Sequence, residues 1–125
     1  MRALLFCAAL ALAGCDTATD ETFAGSGVWV LTSGADAVGA EVVFGTDRQF
    51  SARPVCNHAF GAYSASNGRI GFDVEGTTYA HCGEGQAAET AFLDALEAVE
   101  RYSTSDGRLT LEGEGIRLAF RRKSK

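Results

Sequence analysis

Residues 62–75 read A-Y-S-A-S-N-G-R-I-G-F-D-V-E, and this stretch decides the fold. The Asn-Gly pair at 67–68 is the strongest short signal for a two-residue β-hairpin turn, because both central positions of that turn need a positive φ. After the turn, Ile70, Phe72 and Val74 alternate with polar or small residues, which is the period of a strand with one buried face. The stretch therefore predicts two antiparallel strands joined by a tight turn.

Similar short runs lie on both sides of this hairpin. Asp106-Gly107 is a second hairpin signal, and Gly45 to Arg48 separates another pair of runs. Together the runs predict strands over residues 28–31, 41–44, 49–53, 62–64, 70–74, 109–111 and 116–120. Short strands at this spacing are typical of an antiparallel sheet.

One segment, Gln86 to Tyr102, departs from the period of two. Its apolar residues recur every three or four positions, and Glu89, Asp94 and Glu97 are assigned to the opposite, polar side. This pattern predicts an amphipathic helix of about four turns that covers one side of the sheet. The expected fold is therefore α+β: a mostly antiparallel, curved or barrel-like β-sheet with one amphipathic helix packed on it.

Length and charge restrict the function classes. A chain of 125 residues allows one domain. Its formal net charge of −5 argues against nucleic acid as a partner, because phosphate binding needs a surplus of Lys and Arg.

The N-terminal segment has the pattern of an export signal. Residues 1–14 combine an early Arg2 with an apolar run and a small-residue end, as in a secretory signal peptide. The L-A-G-C stretch that ends at Cys15 resembles the lipobox of bacterial lipoproteins, which implies that Cys15 becomes the lipidated first residue of the mature chain. We therefore expect a signal peptide over 1–14, a flexible tether over 15–26, a domain over 27–122 and a basic tail over 123–125, with the lipid bilayer as partner.

The densest cluster of reactive side chains is Cys56-Asn57-His58 together with His81-Cys82. An exported chain favours a Cys56–Cys82 disulfide, which contributes about 3.5 kcal/mol in the chain-entropy model. Two alternatives stay open: a zinc site of Cys56, His58, His81 and Cys82, whose spacing is poor, and a nucleophilic Cys56 activated by a histidine.

The chain lacks several common enzyme motifs. The sequence contains no G-x-S-x-G elbow, no H-E-x-x-H pair and no phosphate-binding Gly loop. We therefore predict a protein without catalytic activity, with no cofactor and no metal.

The order of these elements resembles the META domain family, the HslJ-like heat-shock lipoproteins of bacteria. The resemblance spans about Gly27 to Arg121, and its most specific element is C-N-x-x-x-G-x-Y from Cys56, followed by T-x-x-x-C ending at Cys82. It implies an antiparallel β domain with one helix and a role in envelope stress or outer-membrane maintenance. It supplies no catalytic site.

The sequence therefore favours a non-enzymatic lipoprotein of the cell envelope that faces the periplasm. Asn57, Phe60, Tyr63 and His81 are candidates for a binding surface near the disulfide. One alternative is an inhibitor or binding partner of an envelope hydrolase such as lysozyme, which is cationic and would be attracted to an acidic protein. A more remote alternative is a thiol redox protein. The resemblance implies the outer membrane, whereas Asp16, next to the lipidated cysteine, resembles an inner-membrane retention signal.

Overall fold

The computed structural model of the chain describes residues 23–123. The described residues form eight strands and one helix in the order β1(Val28–Ser33), β2(Glu41–Phe44), β3(Gln49–Arg53), β4(Ala59–Ser66), β5(Arg69–Thr77), α1(Gly85–Ala98), β6(Arg101–Ser105), β7(Arg108–Gly113) and β8(Ile116–Arg122). Buried and exposed residues alternate along most strands, as one buried face requires.

Every strand pairs antiparallel with the next one along the chain. The last strand, β8, pairs with β1, so that the eight strands form a closed ring. The predicted α+β class, a mostly antiparallel sheet with one helix, is confirmed. Closure pairs each described strand on both sides, although the β5–β6 pairing is short.

The two predicted hairpin turns have the expected backbone. Asn67 and Gly68 have φ values of 53° and 81°, and Asp106 and Gly107 have values of 53° and 77°. Positive φ at both central positions matches the twist of the flanking strands, and Asn, Asp and Gly tolerate it better than other residues. These short-range signals were therefore sufficient to place two of the turns.

Alternating strand direction gives the ring two distinct ends. One, which we call the turn end, holds the turns at 45–48, 67–68 and 106–107 and both termini of the described chain. The other, the loop end, holds the connections at 34–40, 54–58, 78–84 and 114–115. Helix α1 starts at the loop end.

The strand pairing in the ring is shortest between β5 and β6, which share one pair of residues in register, Arg69 and Arg101. Helix α1 packs along β5 beside this junction, and the backbone N–H of Val74 donates to Oε2 of Glu97 at 2.9 Å. A carboxylate from the helix thus satisfies a donor on a strand edge that has no partner strand at this position.

The helix ends before the predicted boundary at Tyr102. It stops at Ala98, because Val99 is extended, with φ −73° and ψ 154°, and buried. The Glu100 N–H then donates to the Glu112 carbonyl at 2.7 Å, which starts the pairing of β6 with β7. Tyr102 belongs to a strand, and its apolar spacing relative to the helix was coincidental.

An aromatic cluster fills the turn end of the core. The fully buried Phe23 lies with its ring centroid 4.6 Å from that of Phe44 and 5.1 Å from that of Tyr102. The Gly25 N–H donates to the Phe44 carbonyl at 2.8 Å. Phe23 therefore belongs to the packed domain, although it lies inside the stretch predicted as a tether over 15–26. A single aromatic residue among small and acidic neighbours gave too weak a pattern to reveal this packing.

No helix within residues 23–123 is both long and apolar enough to cross a membrane.

Candidate functional site

The loop between β3 and β4 is organised by one carboxylate from α1. Oε1 of Glu89 accepts hydrogen bonds from three consecutive backbone N–H groups, those of Val55, Cys56 and Asn57, at 3.2, 3.1 and 3.0 Å. Consecutive N–H groups that converge on one point form an anion-binding nest. Here the anion is a side chain of the protein, and it attaches the helix to the loop.

Asn57 connects this loop to the segment before the helix. Its Nδ2 donates to Oε2 of Glu89 at 2.5 Å and to the Ala80 carbonyl at 3.2 Å. Its Oδ1 accepts from the Thr78 hydroxyl at 2.8 Å and from the Ala80 N–H at 2.7 Å. With both amide atoms bonded twice or more, the buried Asn57 side chain is satisfied.

The Cys56–Cys82 disulfide joins the same two segments covalently. The Cα atoms of the two cysteines lie 6.0 Å apart, within the usual range for a disulfide. Asn57 Nδ2 also lies 3.3 Å from the Cys82 sulfur. The disulfide, Asn57 and Glu89 therefore form one cluster, which we call the Glu89 cluster, and the predicted disulfide is confirmed.

Two opposing effects act on the pKa of Glu89. Burial raises the pKa, because a carboxylate loses hydration when only 3% of the residue remains exposed. The hydrogen bonds from Asn57, Cys56 and Val55 lower it and prevail, so that the pKa lies below the ordinary value. Glu89 is therefore ionised at neutral pH and acts as an acceptor, not as a proton donor.

The whole domain matches a known family. The family model described as META domain matches residues 22–125. The chain belongs to the META domain family. The family resemblance predicted from the C-N and T-x-x-x-C elements is thus confirmed at the level of the META domain.

Two solved structures are similar to this META domain in fold. A DUF4847 family protein from Bacteroides vulgatus ATCC 8482 has a TM-score of 0.70 at 16% identity, covering 84% of this chain and 97% of its own. A protein from Burkholderia xenovorans, solved by NMR, has a TM-score of 0.68 at 21% identity, covering 92% of this chain and 96% of its own. No curated protein matches the chain. At these identities the similarity concerns the fold.

The META domain does not bring the four predicted surface residues together. Asn57 is buried within the Glu89 cluster. Tyr63 is also buried, and its hydroxyl donates to the Gly45 carbonyl at 2.8 Å. Phe60 and His81 are exposed. The expectation of a common surface is corrected for Asn57 and Tyr63, because polar groups that hold loops in place lie inside the fold.

The metal alternative from the sequence has no support in the described geometry. Within residues 23–123, one group of three or more potential ligands converges, namely Cys56, Cys82 and Glu89. Neither His58 nor His81 belongs to it. The two sulfurs are bonded to each other, and both Glu89 oxygens accept N–H groups, so these atoms already have partners.

Sequence reasoning missed the role of Glu89 and placed it on the polar face of the helix. The sequence contained an indication of its burial, because Glu89 precedes Phe92 and Leu96 at the three- and four-residue spacing of one helix face. All three residues are buried in the structure. A carboxylate in an apolar stripe needs a buried partner. In this META domain the partner is a set of backbone N–H groups, which has no signature in the sequence.

A groove of about 350 Å³ opens at the loop end beside the Glu89 cluster. Its walls come from three segments of the META domain: the β1–β2 loop, the start of the β3–β4 loop and the first turn of α1. Val38 and Val55 line it and are 63% and 41% exposed, and the carboxylates of Asp36 and Glu41 lie on its rim together with Arg53. Tyr79, 88% exposed, belongs to another loop at this end.

The predictions for Cys15 and the signal peptide over 1–14 lie outside the described residues, as does most of the predicted tether. The end of the basic tail, at 124–125, lies outside them as well.

Proposed function

We propose that this META domain protein is a non-enzymatic component of the bacterial cell envelope. It is attached to a membrane through lipid on Cys15, faces the periplasm and acts in envelope stress or outer-membrane maintenance. The Glu89 cluster carries the non-enzymatic part of the proposal. Glu89 and Asn57 are buried, their carboxylate and amide atoms bond to the protein itself, and the two sulfurs bond to each other, which supports a role in holding loops in place.

The anchor is supported by the L-A-G-C stretch and tested at the two N-terminal cysteines. Cys15→Ser should remove the lipid mass and release the protein from the membrane fraction. Cys7→Ser, a matched control within the predicted signal peptide, should still give a lipidated product. Intact mass and membrane fractionation of both variants measure this. Equal membrane association of the two variants would contradict the anchor.

The choice of membrane rests on opposing signals, the family resemblance and Asp16. We assign the protein to the outer membrane and expect it to co-sediment with outer-membrane markers in density fractionation. An Asp16→Ser variant that moves from the inner to the outer fraction would show instead that Asp16 retains the native chain at the inner membrane.

The role in envelope stress is tested by deleting the gene and measuring survival under heat and membrane-active detergent. Wild-type protein should restore survival, and Cys15→Ser at equal abundance should restore less. Full rescue by the unanchored protein would show that the role in envelope stress does not require attachment to the membrane.

A second candidate, an inhibitor or binding partner of an envelope hydrolase, is supported by the loop-end groove. Exposed valines beside the Asp36 carboxylate suit a segment with basic and apolar side chains, such as the surface of a cationic lysozyme, whereas the Glu41 carboxylate is already paired with Lys123. Lysozyme activity should then fall in the presence of micromolar protein, and Val38→Ser or Val55→Ser should relieve the inhibition. Val43→Ser, at an exposed valine on strand β2, is the matched control. Full lysozyme activity at these concentrations would exclude this candidate.

The remote alternative, a thiol redox protein, needs a disulfide that opens readily. Titration of the native protein with a thiol reagent under mild glutathione decides this: finding no free thiol argues for a structural disulfide.

A further inference from the structure

Basic side chains are concentrated at the turn end of the ring. Arg69 follows the 67–68 turn, Arg108 follows the 106–107 turn, and β8 ends there with Arg121 and Arg122. All four are exposed. The carboxylates in the turns at this end are those of Asp47 and Asp106. In the connections of the loop end, by contrast, the Asp and Glu residues are Asp36, Glu84 and Glu114, and no Lys or Arg occurs there.

Two of these arginines lie directly opposite each other. Arg108 on β7 is the register partner of Arg121 on β8. Like charges at opposite positions of an antiparallel pair destabilise it. Within residues 23–123 neither Arg108 nor Arg121 forms an ion pair with a carboxylate, in contrast to Arg101, Arg117 and Lys123. Because this like-charge pair has no counter-charge among the described residues, an external anion at this end would relieve the repulsion.

The chain enters the domain at the same end. Phe23, the first described residue, packs against Phe44 and Tyr102 at the turn end. Seven residues separate it from Cys15, and even a fully extended segment spanning these eight residue steps reaches only about 28 Å. A lipid on Cys15 would therefore hold the basic end, and not the acidic loop end, close to the bilayer.

We propose that the turn end docks on the anionic phospholipid surface of the membrane that carries the protein, with Arg69, Arg108 and Arg121 against the headgroup phosphates. This inference rests on the proposed anchor at Cys15. It directs the groove lined by Val38 and Val55 away from the membrane, toward partners in the periplasm. A chain of net charge −5 binds an anionic surface only through a local excess of cations such as this one.

The single tryptophan provides a reporter at the right place. Trp29 is the second residue of β1, is paired with Arg122 and lies at the turn end. The full chain, purified with its anchor, is inserted into vesicles of phosphatidylcholine alone or mixed with phosphatidylglycerol, each containing a dansyl-labelled lipid. Energy transfer from Trp29 to the dansyl headgroup measures how close the turn end lies to the bilayer, and sedimentation with the vesicles measures anchoring separately.

The triple variant Arg69→Gln/Arg108→Gln/Arg121→Gln removes the three proposed headgroup contacts and leaves other cations of the turn end in place, among them Arg122, whose guanidinium carbon lies 5.8 Å from the centroid of the Trp29 ring. Arg53→Gln/Arg117→Gln, at the loop end, is the matched control. On anionic vesicles the wild type should show higher transfer than on neutral ones. The triple variant should weaken the docked state roughly fivefold per arginine removed, and the control should match the wild type. High salt should abolish the difference, because the charges are screened.

Each outcome bears on one proposal. Equal transfer for wild type and triple variant on anionic vesicles, with both chains sedimenting, overturns the docking surface and leaves the anchor intact. Failure to sediment with neutral vesicles overturns the anchor. The docking surface is then judged by sedimentation with anionic vesicles, which must depend on the three arginines. Arginine-dependent binding to soluble heparin without binding to anionic vesicles overturns the assignment to lipid.

Discussion

The carboxylate of Glu89 on α1 is held by the backbone N–H and the side-chain amide of Asn57, 32 residues away in sequence, at 3.0 and 2.5 Å. Through this contact the helix determines the conformation of the β3–β4 loop, since two further N–H groups of the loop converge on the same oxygen. The Cys56–Cys82 disulfide joins the loop to the segment that precedes the helix. The loop end of the domain is thus held by one buried charge and one covalent bond.

Glu89→Gln should lower the free energy of unfolding by about 2–3 kcal/mol, because a neutral amide accepts weaker hydrogen bonds and places an NH₂ group opposite the Asn57 amide donor. Urea denaturation measures this. Asp94→Asn, at an exposed carboxylate on the same helix, is the control and should change stability by less than about 0.5 kcal/mol. Equal stability of Glu89→Gln and wild type would show that the carboxylate is not needed as an ion.

The stabilisation by Glu89 should depend on pH in a defined direction. Because the pKa is lowered in the folded state, the contribution is complete above the ordinary value of 4.5 and is lost as the pH falls through the folded-state pKa below that value. The difference in unfolding free energy between wild type and Glu89→Gln should therefore be constant near neutral pH and shrink in acid. A difference that grows on acidification would contradict the lowered pKa of Glu89 in the folded state.

Replacing both cysteines of the disulfide, Cys56→Ser/Cys82→Ser, should lower the free energy of unfolding by roughly 2–5 kcal/mol. Adding a thiol reductant should destabilise the wild type toward the level of the variant and leave the variant unchanged. Thermal unfolding with and without reductant provides both comparisons. A variant as stable as the oxidised wild type would mean that the hydrogen bonds of Asn57 and Glu89 hold the loop without the covalent bond.

Phe23→Ala should destabilise the domain by about 3–5 kcal/mol, since the ring is fully buried among other aromatic rings and its loss leaves a cavity. Phe60→Ala, at a ring that is 52% exposed on the outer face of β4, is the matched control and should cost much less. The denaturation midpoints of the two variants measure whether Phe23 contributes to the packed core. Similar midpoints would mean that Phe23 does not stabilise the domain and behaves as part of the tether.

Arg121→Gln should raise the free energy of unfolding by about 0.2–1 kcal/mol, because it removes the repulsion with Arg108 across the β7–β8 pair. Arg117→Gln, on the same strand, loses an ion pair with Glu112 and should be neutral or slightly destabilising. Thermal unfolding of the two variants makes the comparison. A loss of stability in Arg121→Gln would show that the arginine supports the fold, which would weaken the argument that it serves a membrane surface.

Local patterns were enough to predict most of the fold. The turns at Asn67-Gly68 and Asp106-Gly107 and the alternation of strands such as β5 and β8 follow from backbone conformation and one-sided burial, which act within a few residues. The end of the helix was predicted too late because Tyr102 continued the apolar spacing. What ends the helix at Ala98 is the pairing of Glu100 with Glu112, a contact between distant parts of the chain.

The cluster at the loop end was predicted only in part. Cys56 and Cys82 could be paired because two cysteines in a chain that is expected to be exported have few alternatives. Glu89 was assigned to the solvent because charged residues are rarely buried without a partner, and its partners are backbone N–H groups that the residue letters do not distinguish. Asn57 and Tyr63 appeared to be surface residues for a related reason: their polar atoms bond to the backbone of other segments.

The sequence by itself indicated seven of the eight strands and the helix, with β6 hidden by the overlong helix prediction, and it indicated the META domain family, favoured the pairing of the two cysteines and led to the expected anchor at Cys15. These depend on neighbouring residues or on short motifs. Only the tertiary structure decided that Glu89 is buried, that Phe23 belongs to the core and that Arg108 faces Arg121 at the end where the chain enters. The first two depend on contacts between distant parts of the chain, the helix with the β3–β4 loop and Phe23 with Phe44 and Tyr102, and the third depends on the register of the β7–β8 pair.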